Sequence, residues 1–226
     1  MKFVKYPKTP HLFILPGLDI RDDKILPPHE AEDFYKNDII VEEKVDGANV
    51  GFSFTEMGEV KIQNRGNYLS QSDHSQFDII WDWAYRRTDL LFRTLTTRYI
   101  LFGEWCYAQH SIHYTSLPDW FLGFDIYDRE EEIFLNTPRR DKIFKNISIY
   151  PVPLIRTGKF NKKDLVALVK GKSLLGGGQL EGIYLRLDSD DNLVKRAKLV
   201  KEDFVQSIDE HWSKRKTITN KLSYRS

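Results

Sequence analysis

One lysine of this sequence stands where a covalent reaction could take place. Lys44 ends an apolar stretch that begins at Ile39, and Asp46 and Gly47 follow it. Glycine allows a sharp turn and a close approach of the backbone to a ligand, so we expect the Lys44 amine at the mouth of a sheet. An amine is a nucleophile only when it is neutral, which requires burial or neighbouring cations to lower its pKa from about 10.4. The pattern indicates covalent catalysis, and taken alone it also suits a solvated lysine in a turn.

Side chains suited to a nucleotide recur at later points in the chain. Glu104 and Glu181 offer the hard oxygen ligands that Mg²⁺ prefers. Arg65 has a planar guanidinium that fits a phosphate, and Phe124 has a flat face that fits a base. Positive charge for a phosphate comes from two late strands, at Arg186, Arg196 and Lys198. Four of these residues also have an ordinary structural alternative: Glu104 and Glu181 as strand-end carboxylates, Arg65 as a turn residue and Phe124 as a core residue.

Short segments that carry these residues follow one another in a fixed order. They are Lys44-Val45-Asp46-Gly47, Gln63-Asn64-Arg65-Gly66, Phe102-Gly103-Glu104-Trp105, Phe121-Leu122-Gly123-Phe124-Asp125-Ile126, Glu181-Gly182-Ile183-Tyr184-Leu185-Arg186 and Arg196-Ala197-Lys198. The series resembles the motifs of the covalent nucleotidyltransferase superfamily, most closely the ATP-dependent RNA ligases of the double-strand-repair and RNA-editing type. The last motif of that family usually carries two lysines. Because Arg196 replaces the first of them, Lys198 is the better candidate for contact with the α-phosphate.

The resemblance implies an ATP-dependent RNA ligase. Such an enzyme seals 5′-phosphate and 3′-hydroxyl RNA ends through a lysyl-AMP intermediate and an adenylylated RNA end. The implied catalytic residues are Lys44 and Lys198, and Glu181 and Glu104 would hold Mg²⁺ or Mn²⁺. The residues implied to bind the nucleotide are Glu43, Lys44, Asn49, Arg65, Glu104, Phe124, Glu181, Arg186, Arg196 and Lys198. The implied partners are RNA ends and a separate kinase-phosphatase that prepares them.

Three other functions stay open at the level of sequence. A small DNA ligase and an mRNA-capping guanylyltransferase that uses GTP belong to the same superfamily, and a catalytically silent module that binds nucleic-acid ends belongs to another class. Only 28 residues follow Lys198, fewer than the roughly 50 that a separate domain needs, so we expect no C-terminal OB domain. That expectation weakens the capping alternative.

Composition places this chain among soluble globular proteins. It has 226 residues, of which 41% are hydrophobic, a net charge of +1 and a mean hydropathy of −0.48. No apolar stretch approaches the roughly 20 residues of a membrane span, and the N-terminus lacks the apolar core of a secretory signal. Cys106 is the only cysteine, which excludes an internal disulfide and fits a reducing compartment. We expect a cytoplasmic monomer without membrane contact.

Patterning along the chain predicts an α+β fold of antiparallel sheets flanked by helices. Alternating apolar residues predict a hairpin between 38 and 62 and strands at 98–107, 120–127, 181–187 and 193–200. Helical spacing predicts a helix between 75 and 95 and a closing helix at 204–212. Thr137 and Asn161 are expected to cap two further helices. We expect a single domain over 1–226, with 1–37 as an N-terminal extension packed on it.

Overall fold

Two sheets, antiparallel apart from one parallel strand pair, form the body of the molecule. The computed structural model describes residues 2–15, 24–71, 75–201 and 218–223. Within them, one sheet has four strands and the other has six, with short helices packed outside. The α+β prediction is confirmed. No helix in these ranges is long and apolar enough to cross a bilayer.

The strands and helices are short, as the patterning predicts. The strands are β1 (Ile39–Lys44), β2 (Ala48–Phe54), β3 (Val60–Gln63), β4 (Tyr99–Trp105), β5 (Phe121–Asp128), β6 (Ile133–Phe134), β7 (Tyr150–Pro151), β8 (Leu154–Gly158), β9 (Gly182–Asp188) and β10 (Leu193–Val200). The α-helices are α1 (Pro28–Lys36), α2 (Ile80–Tyr85), α3 (Thr88–Leu95), α4 (Thr137–Asn146) and α5 (Lys162–Val169), and a 3₁₀ helix covers Ser75–Phe77.

The turn after Lys44 carries the chain from one sheet to the other. The four-stranded sheet has the order β10-β9-β1-β8, and the six-stranded sheet runs β3-β2-β4-β5-β6, with β7 pairing alongside β5. Strand β1 therefore ends in the first sheet, and β2 begins in the second after three intervening residues. Gly47 lies in this turn, where a Cβ would stand 2.6 Å from the carbonyl oxygen of Trp105. The close approach of backbone to backbone requires glycine at this point.

Each sheet has its own apolar core. The core of the six-stranded sheet includes Phe52, Trp83 and Phe121, and the rings of Phe52 and Phe121 meet edge to face with centroids 5.0 Å apart. The core of the four-stranded sheet includes Val41 and Leu185, both fully buried. Removal of these side chains from water is the main favourable contribution to folding. The two cores hold the facing ends of the sheets in fixed positions.

Two of the predicted helices differ in detail from the structure. The region between 75 and 95 forms a 3₁₀ helix, α2 and α3 instead of one helix. The break falls at Arg87, whose guanidinium lies over the Trp83 ring and donates to Asp119. Helix α4 is capped by Asn136 instead of Thr137, because the Asn136 side chain accepts the hydrogen bond from the amide of Arg139.

Other elements were predicted correctly, were missed, or fall outside the structure. Asn161 forms a capping box with Asp164 at the start of α5, as predicted. Helix α1 lies in the segment expected to be extended, although Pro28 and Glu30 near its start are typical helix-start signals. The edge strand β8 was also missed. The predicted closing helix at 204–212 lies outside the described residues.

Candidate active site

An open cavity of about 120 Å³ lies between the two sheets. Its walls combine residues of both sheets with the N-terminal segment. The residues predicted from sequence that line it are Glu43, Lys44, Asn49, Arg65, Glu104, Phe124 and Lys198. The residues that sequence reasoning missed are Tyr6, Lys8, Thr9, Glu42, Val45, Val152 and Tyr184. The fold thus brings together most of the predicted site from segments far apart in the chain.

Lys44 is held inside this cavity by carboxylates. It is the last residue of β1, and its Nζ donates a hydrogen bond to Oε1 of Glu181. Burial alone would lower the pKa of Lys44, but the charge of Glu181, with smaller contributions from Glu104 and Asp46, raises it above its ordinary value. The carboxylates beside Lys44 thus shift its pKa in the direction opposite to that of the neighbouring cations that we expected.

Glu104 and Glu181 are the two predicted metal ligands, and both face Lys44. Burial raises the pKa of Glu104 to about 8 and that of Glu181 to about 7, while the charge of Lys44 opposes both shifts. Oε1 of Glu104 accepts a hydrogen bond from the amide of Gly47 at 3.2 Å. Oε2 of Glu181 is buried and has no hydrogen-bond partner among the described residues. Such an oxygen is suited to bind a cation or a ligand donor.

A metal at this point would depend on more than protein ligands. No group of three or more His, Cys, Asp or Glu side chains with metal-binding geometry occurs among the described residues. Mg²⁺ in nucleotide sites usually takes one or two carboxylates and completes its shell with phosphate oxygens and water. The pair Glu104 and Glu181, with its unpartnered oxygen, fits that kind of site.

Asp46 fixes the turn that follows Lys44. Its Oδ2 accepts hydrogen bonds from the amides of Ser111, at 2.6 Å, and Ile112, at 2.9 Å. Its own amide donates to the hydroxyl of Tyr114 at 2.9 Å. The carboxylate of Asp46 therefore joins this turn to a separate loop, and its observed contacts are those of a positioning residue.

Glu43 and Asn49 differ in their availability to a ligand. Both carboxylate oxygens of Glu43 are engaged, one by the hydroxyl of Ser173 at 2.5 Å and the other by the amide of Leu174 at 2.9 Å. Oδ1 of Asn49 is buried with no hydrogen-bond partner in the described part of the chain. Glu43 is thus hydrogen-bonded to the loop that contains Ser173 and Leu174. Asn49 belongs to the cavity wall and has a carbonyl oxygen that accepts no hydrogen bond from the described residues.

An aromatic wall closes one side of the cavity. The rings of Tyr6 and Phe124 lie with centroids 5.1 Å apart and planes tilted by 58°. The hydroxyl of Tyr6 donates to Asp125 at 2.5 Å and lies 3.2 Å from the hydroxyl of Tyr184. Phe124 keeps part of its surface exposed, as a base-stacking residue must. Nothing in the sequence marked Tyr6, because it belongs to a segment that we assigned to an extension.

Arg186 and Arg196 lie against the buried carboxylate of Asp125. Arg186 is fully buried and contacts Oδ1 of Asp125 at 2.5 Å, and Arg196 contacts Oδ2 at 3.2 Å. Neither residue lines the cavity. Burial alone would raise the pKa of Asp125, yet these two guanidinium groups hold it below its ordinary value. Because Asp125 is buried and needs counter-charges, both arginines balance its charge behind the aromatic wall, and their contact with a nucleotide stays a prediction.

Lys198 and Arg65 provide positive charge at the cavity itself. The backbone amide of Lys198 in β10 donates to the carbonyl of Pro10 at 2.9 Å, which fixes the strand against the N-terminal segment. Burial raises the pKa of Glu181 and of Glu104, and the charge of Lys198 opposes the first shift while that of Arg65 opposes the second. Each cation therefore lies near one of the buried carboxylates. Arg65 is exposed at the rim. The two cations flank the carboxylates from opposite sheets.

Comparison with known proteins gives one family and one set of related folds. The family model described as RNA ligase matches residues 37–200. No curated protein matches the chain. Among solved structures, Naegleria gruberi RNA ligase with PPi superposes with a TM-score of 0.61 at 19% identity, over 80% of this chain and 54% of that one. A mutant of the same ligase with ATP and Mn superposes with a TM-score of 0.62 at 18% identity. A mutant with AMP and Mn superposes with a TM-score of 0.61 at 16% identity.

The matched share of this chain is larger than the matched share of the related structures. The two mutant structures are matched over 88% and 89% of this chain, but over only 63% of their own length. This chain therefore spans between half and two thirds of the solved ligases that it resembles. At such identities the likeness is one of fold.

Proposed function

The chain belongs to the RNA ligase family, and we propose that it is an ATP-dependent RNA ligase whose nucleophile is Lys44. The observation that carries the proposal is the position of the Lys44 amine. It lies in a cavity between two sheets, hydrogen-bonded to Glu181 and flanked by the cations Arg65 and Lys198. A family match alone gives the class of enzyme. The buried amine gives the reaction that the site can perform.

In the first step, Lys44 attacks the α-phosphate of ATP. A bond forms between Nζ and phosphorus, the bond to the pyrophosphate oxygen breaks, and the amine loses its proton. Glu181 directs the amine through its hydrogen bond, and the rigid end of β1 limits the positions Nζ can take. The product is a lysyl-AMP phosphoramidate.

The amine must become neutral before it can attack. The present surroundings do the opposite, because Glu181 and Glu104 raise the pKa of Lys44. A Mg²⁺ or Mn²⁺ ion held by these two carboxylates would neutralise them, lower the pKa of the amine and stabilise charge on the phosphates. The unpartnered Oε2 of Glu181 supports this assignment.

Other residues of the cavity hold the nucleotide. Phe124 offers the partly exposed ring on which adenine can stack. Lys198 and Arg65 are placed to contact phosphate oxygens, and the unused Oδ1 of Asn49 can accept a hydrogen bond from a hydroxyl group of the substrate. These contacts would keep the α-phosphate in line with Nζ.

The later steps use RNA as the second substrate. The AMP group moves from Lys44 to a 5′-phosphate, and a 3′-hydroxyl then displaces AMP and closes the strand. RNA with these two ends is thus the proposed partner. A monomeric state, a separate kinase-phosphatase that heals the ends and a cytoplasmic location stay predictions from the sequence.

The proposal is tested by labelling followed by sealing. The protein is incubated with α-labelled ATP and Mg²⁺, and the labelled protein is then offered nicked duplexes whose broken strand is RNA or DNA. We expect label on the protein and transfer into a sealed RNA strand. Equal labelling from GTP would indicate a capping-type enzyme, and sealing of the DNA nick alone would indicate a DNA ligase. Binding to nucleic-acid ends with no labelling under any condition would indicate a silent module.

A further inference from the structure

A short C-terminal segment is built into the support of the Lys44 turn. We call residues 218–223 the tail segment and residues 106–117 the supporting loop. Their backbones are joined by hydrogen bonds from Gln109 to Ile218 (2.8 Å), Asn220 to Tyr107 (3.0 Å), Lys221 to Tyr114 (2.9 Å), Leu117 to Lys221 (3.0 Å) and Ser223 to Leu117 (2.7 Å). These bonds run in both directions, and two isolated β-bridges, Ala108 with Thr219 and Leu117 with Leu222, also pair the tail segment with the loop.

Asn220 is the residue of the tail segment that reaches inside the loop. It is only 3% exposed, while Thr219 and Lys221 on either side are exposed. Its Oδ1 accepts from the amide of Tyr114 at 2.8 Å. Its Nδ2 donates to the carbonyls of Cys106, at 2.8 Å, and Ala108, at 3.2 Å. One buried amide side chain thus joins both sides of the supporting loop, and no other side-chain type has this pattern of donors and acceptor in the same size.

The supporting loop holds the turn that follows Lys44. Tyr114 accepts the amide of Asp46 through its hydroxyl, and the amides of Ser111 and Ile112 donate to the Asp46 carboxylate. Three hydrogen bonds between the loop and one residue of the turn fix the position of that residue. Asp46 is two residues from Lys44, so displacement of the loop moves the end of β1.

The residue on the other side of Lys44 is connected to the same loop. Glu43 is bonded by Ser173 and Leu174, and the next residue, Leu175, accepts the amide of Ser116 in the supporting loop at 2.9 Å. Glu43, directly before Lys44, and Asp46, two residues after it, are therefore both connected to the supporting loop that Asn220 joins. Buried polar networks of this kind are sensitive to the loss of one member, because its partners are left unpaired.

We propose that Asn220 is a positioning residue for the nucleophile: through the supporting loop it holds the Lys44 turn in the geometry needed for attack on the nucleotide. This inference rests on the proposed function. Asn220 itself lies behind the cavity and does not line it. Its loss should therefore slow the formation of the lysyl-nucleotide bond without weakening the binding of ATP.

The test measures the rate of adenylylation at a series of ATP concentrations for wild type and three variants. Asn220→Ala removes all three side-chain hydrogen bonds, and Asn220→Asp keeps the acceptor but turns an oxygen toward two carbonyls. We expect both to lower the rate at saturating ATP about tenfold or more, since a small misplacement of reacting groups can cost up to about 100-fold. The half-saturating ATP concentration should change less than about twofold, because no contact to the nucleotide is lost. Thr219→Ala is the matched control for an exposed neighbour and should leave both values unchanged.

A second readout does not depend on catalysis. In hydrogen exchange, the amides of Asp46, Ser111 and Ile112 should lose protection in Asn220→Ala and keep it in Thr219→Ala. Circular dichroism and thermal melting show whether each variant is folded. If Asn220→Ala proves unfolded, Tyr114→Phe replaces it, because this variant removes only the hydroxyl that accepts the Asp46 amide. We expect the same loss of rate at unchanged half-saturation.

The outcomes separate this inference from the proposed function. If wild type forms no adduct with ATP, the proposed function fails, and the exchange experiment still tests the connection between Asn220 and the turn. If wild type reacts and a folded Asn220→Ala reacts at the same rate, the inference is overturned alone. It is also overturned if the variant changes only the half-saturating ATP concentration, or if the three amides keep their protection.

Discussion

At the scale of single residues, the chemistry of the site depends on one amine among acids. The sequence marks Lys44, before Asp46 and Gly47, as the candidate nucleophile, but it cannot show which charges surround the amine. The structure places Glu181 and Glu104 beside it, and their charges raise its pKa. The same two carboxylates are the proposed ligands of Mg²⁺ or Mn²⁺.

Phe124 gives a prediction at this scale. Phe124→Ala should raise the half-saturating ATP concentration in adenylylation about 5- to 150-fold, because stacking of a base on an aromatic ring is worth about 1–3 kcal/mol. Phe124→Tyr keeps the ring and should stay within about twofold of wild type. The measurement is a titration of ATP with labelled-protein yield as the readout, on variants shown to be folded. An unchanged half-saturation in Phe124→Ala would assign this ring to the core alone.

The sequence led us to expect some residues of the cavity and not others. Lys44, Arg65, Glu104 and Lys198 line one cavity, as the order of the motifs led us to expect, and their roles stay predictions. Arg186 and Arg196 were assigned to the nucleotide because a sequence shows their charge but not the buried Asp125 that uses it. Tyr6 and Tyr184 were missed, since an aromatic residue is usual in a core and only the fold shows that one lines a cavity.

At the scale of elements, the site depends on the turn between β1 and β2. This turn leaves one sheet and enters the other, so any shift in it moves Lys44 relative to Glu104. Packing around the turn is tight, because a Cβ at Gly47 would stand 2.6 Å from the Trp105 carbonyl oxygen and 3.0 Å from Cγ of Glu104. No side chain can enter without displacement of backbone.

Gly47→Ala is therefore predicted to lower stability by about 1–3 kcal/mol, the usual cost of overpacking, and to slow adenylylation. Gly66→Ala is the matched control for stability, since the nearest atom to its Cβ would be Asn64 Oδ1 at 3.6 Å. That variant should unfold within about 0.5 kcal/mol of wild type. Urea denaturation followed by circular dichroism measures both. Equal stability of the two variants would contradict the close packing of the turn.

The two sheets are joined by a buried cluster of charges. Asp125 lies in β5 of the six-stranded sheet, and its partners Arg186 and Arg196 lie in β9 and β10 of the four-stranded sheet. Removal of one partner from a buried pair costs about 3–5 kcal/mol, because it leaves charge without compensation. We predict a loss of that size for Asp125→Asn at pH 7, measured by urea denaturation. The matched control Asp141→Asn changes a half-exposed carboxylate and should cost less than about 1 kcal/mol.

The same cluster predicts a pH dependence. The pKa of Asp125 is lower in the folded protein than in the unfolded chain, so its ionised form stabilises the fold. This contribution is complete above the unfolded pKa of about 3.9 and is lost as the pH falls further, through the folded pKa. The difference in unfolding free energy between wild type and Asp125→Asn should shrink below pH 4 and stay constant between pH 6 and 8. A difference that grows toward low pH would contradict this assignment.

Elements were predicted well where a local pattern decides them. Strands β4, β5, β9 and β10 and the cap of α5 follow from alternation and capping signals. The break between α2 and α3 was not predictable, because Arg87 at the break contacts Asp119, which lies 32 residues away in the sequence. Strand β8 was missed for a similar reason, since its residues are largely exposed at a sheet edge and lack the alternation of a half-buried strand.

At the scale of the whole molecule, function follows from how two separately packed sheets face each other. Each sheet has its own core, and buried ion pairs connect the sheets to neighbouring helices and strands. One such pair joins Arg140 of α4 to Glu42 of β1 at 2.7 Å. Fixed in this way, the sheets keep a cavity open and present Lys44 to it from one side and Glu104 from the other. The match to the RNA ligase family covers residues 37–200, and this range contains both Lys44 and Glu104.

The most direct measurement is the mass of the intact protein after incubation with ATP and Mg²⁺. We predict that wild type gains the mass of one AMP group and that peptide mapping places it on Lys44. Lys44→Arg should gain nothing, since arginine keeps the charge but does not give up its proton. The matched control Lys36→Arg, on the exposed face of α1, should gain the same mass as wild type. If wild type shows no added mass, or if Lys44→Arg shows it, Lys44 is not the nucleophile of this protein.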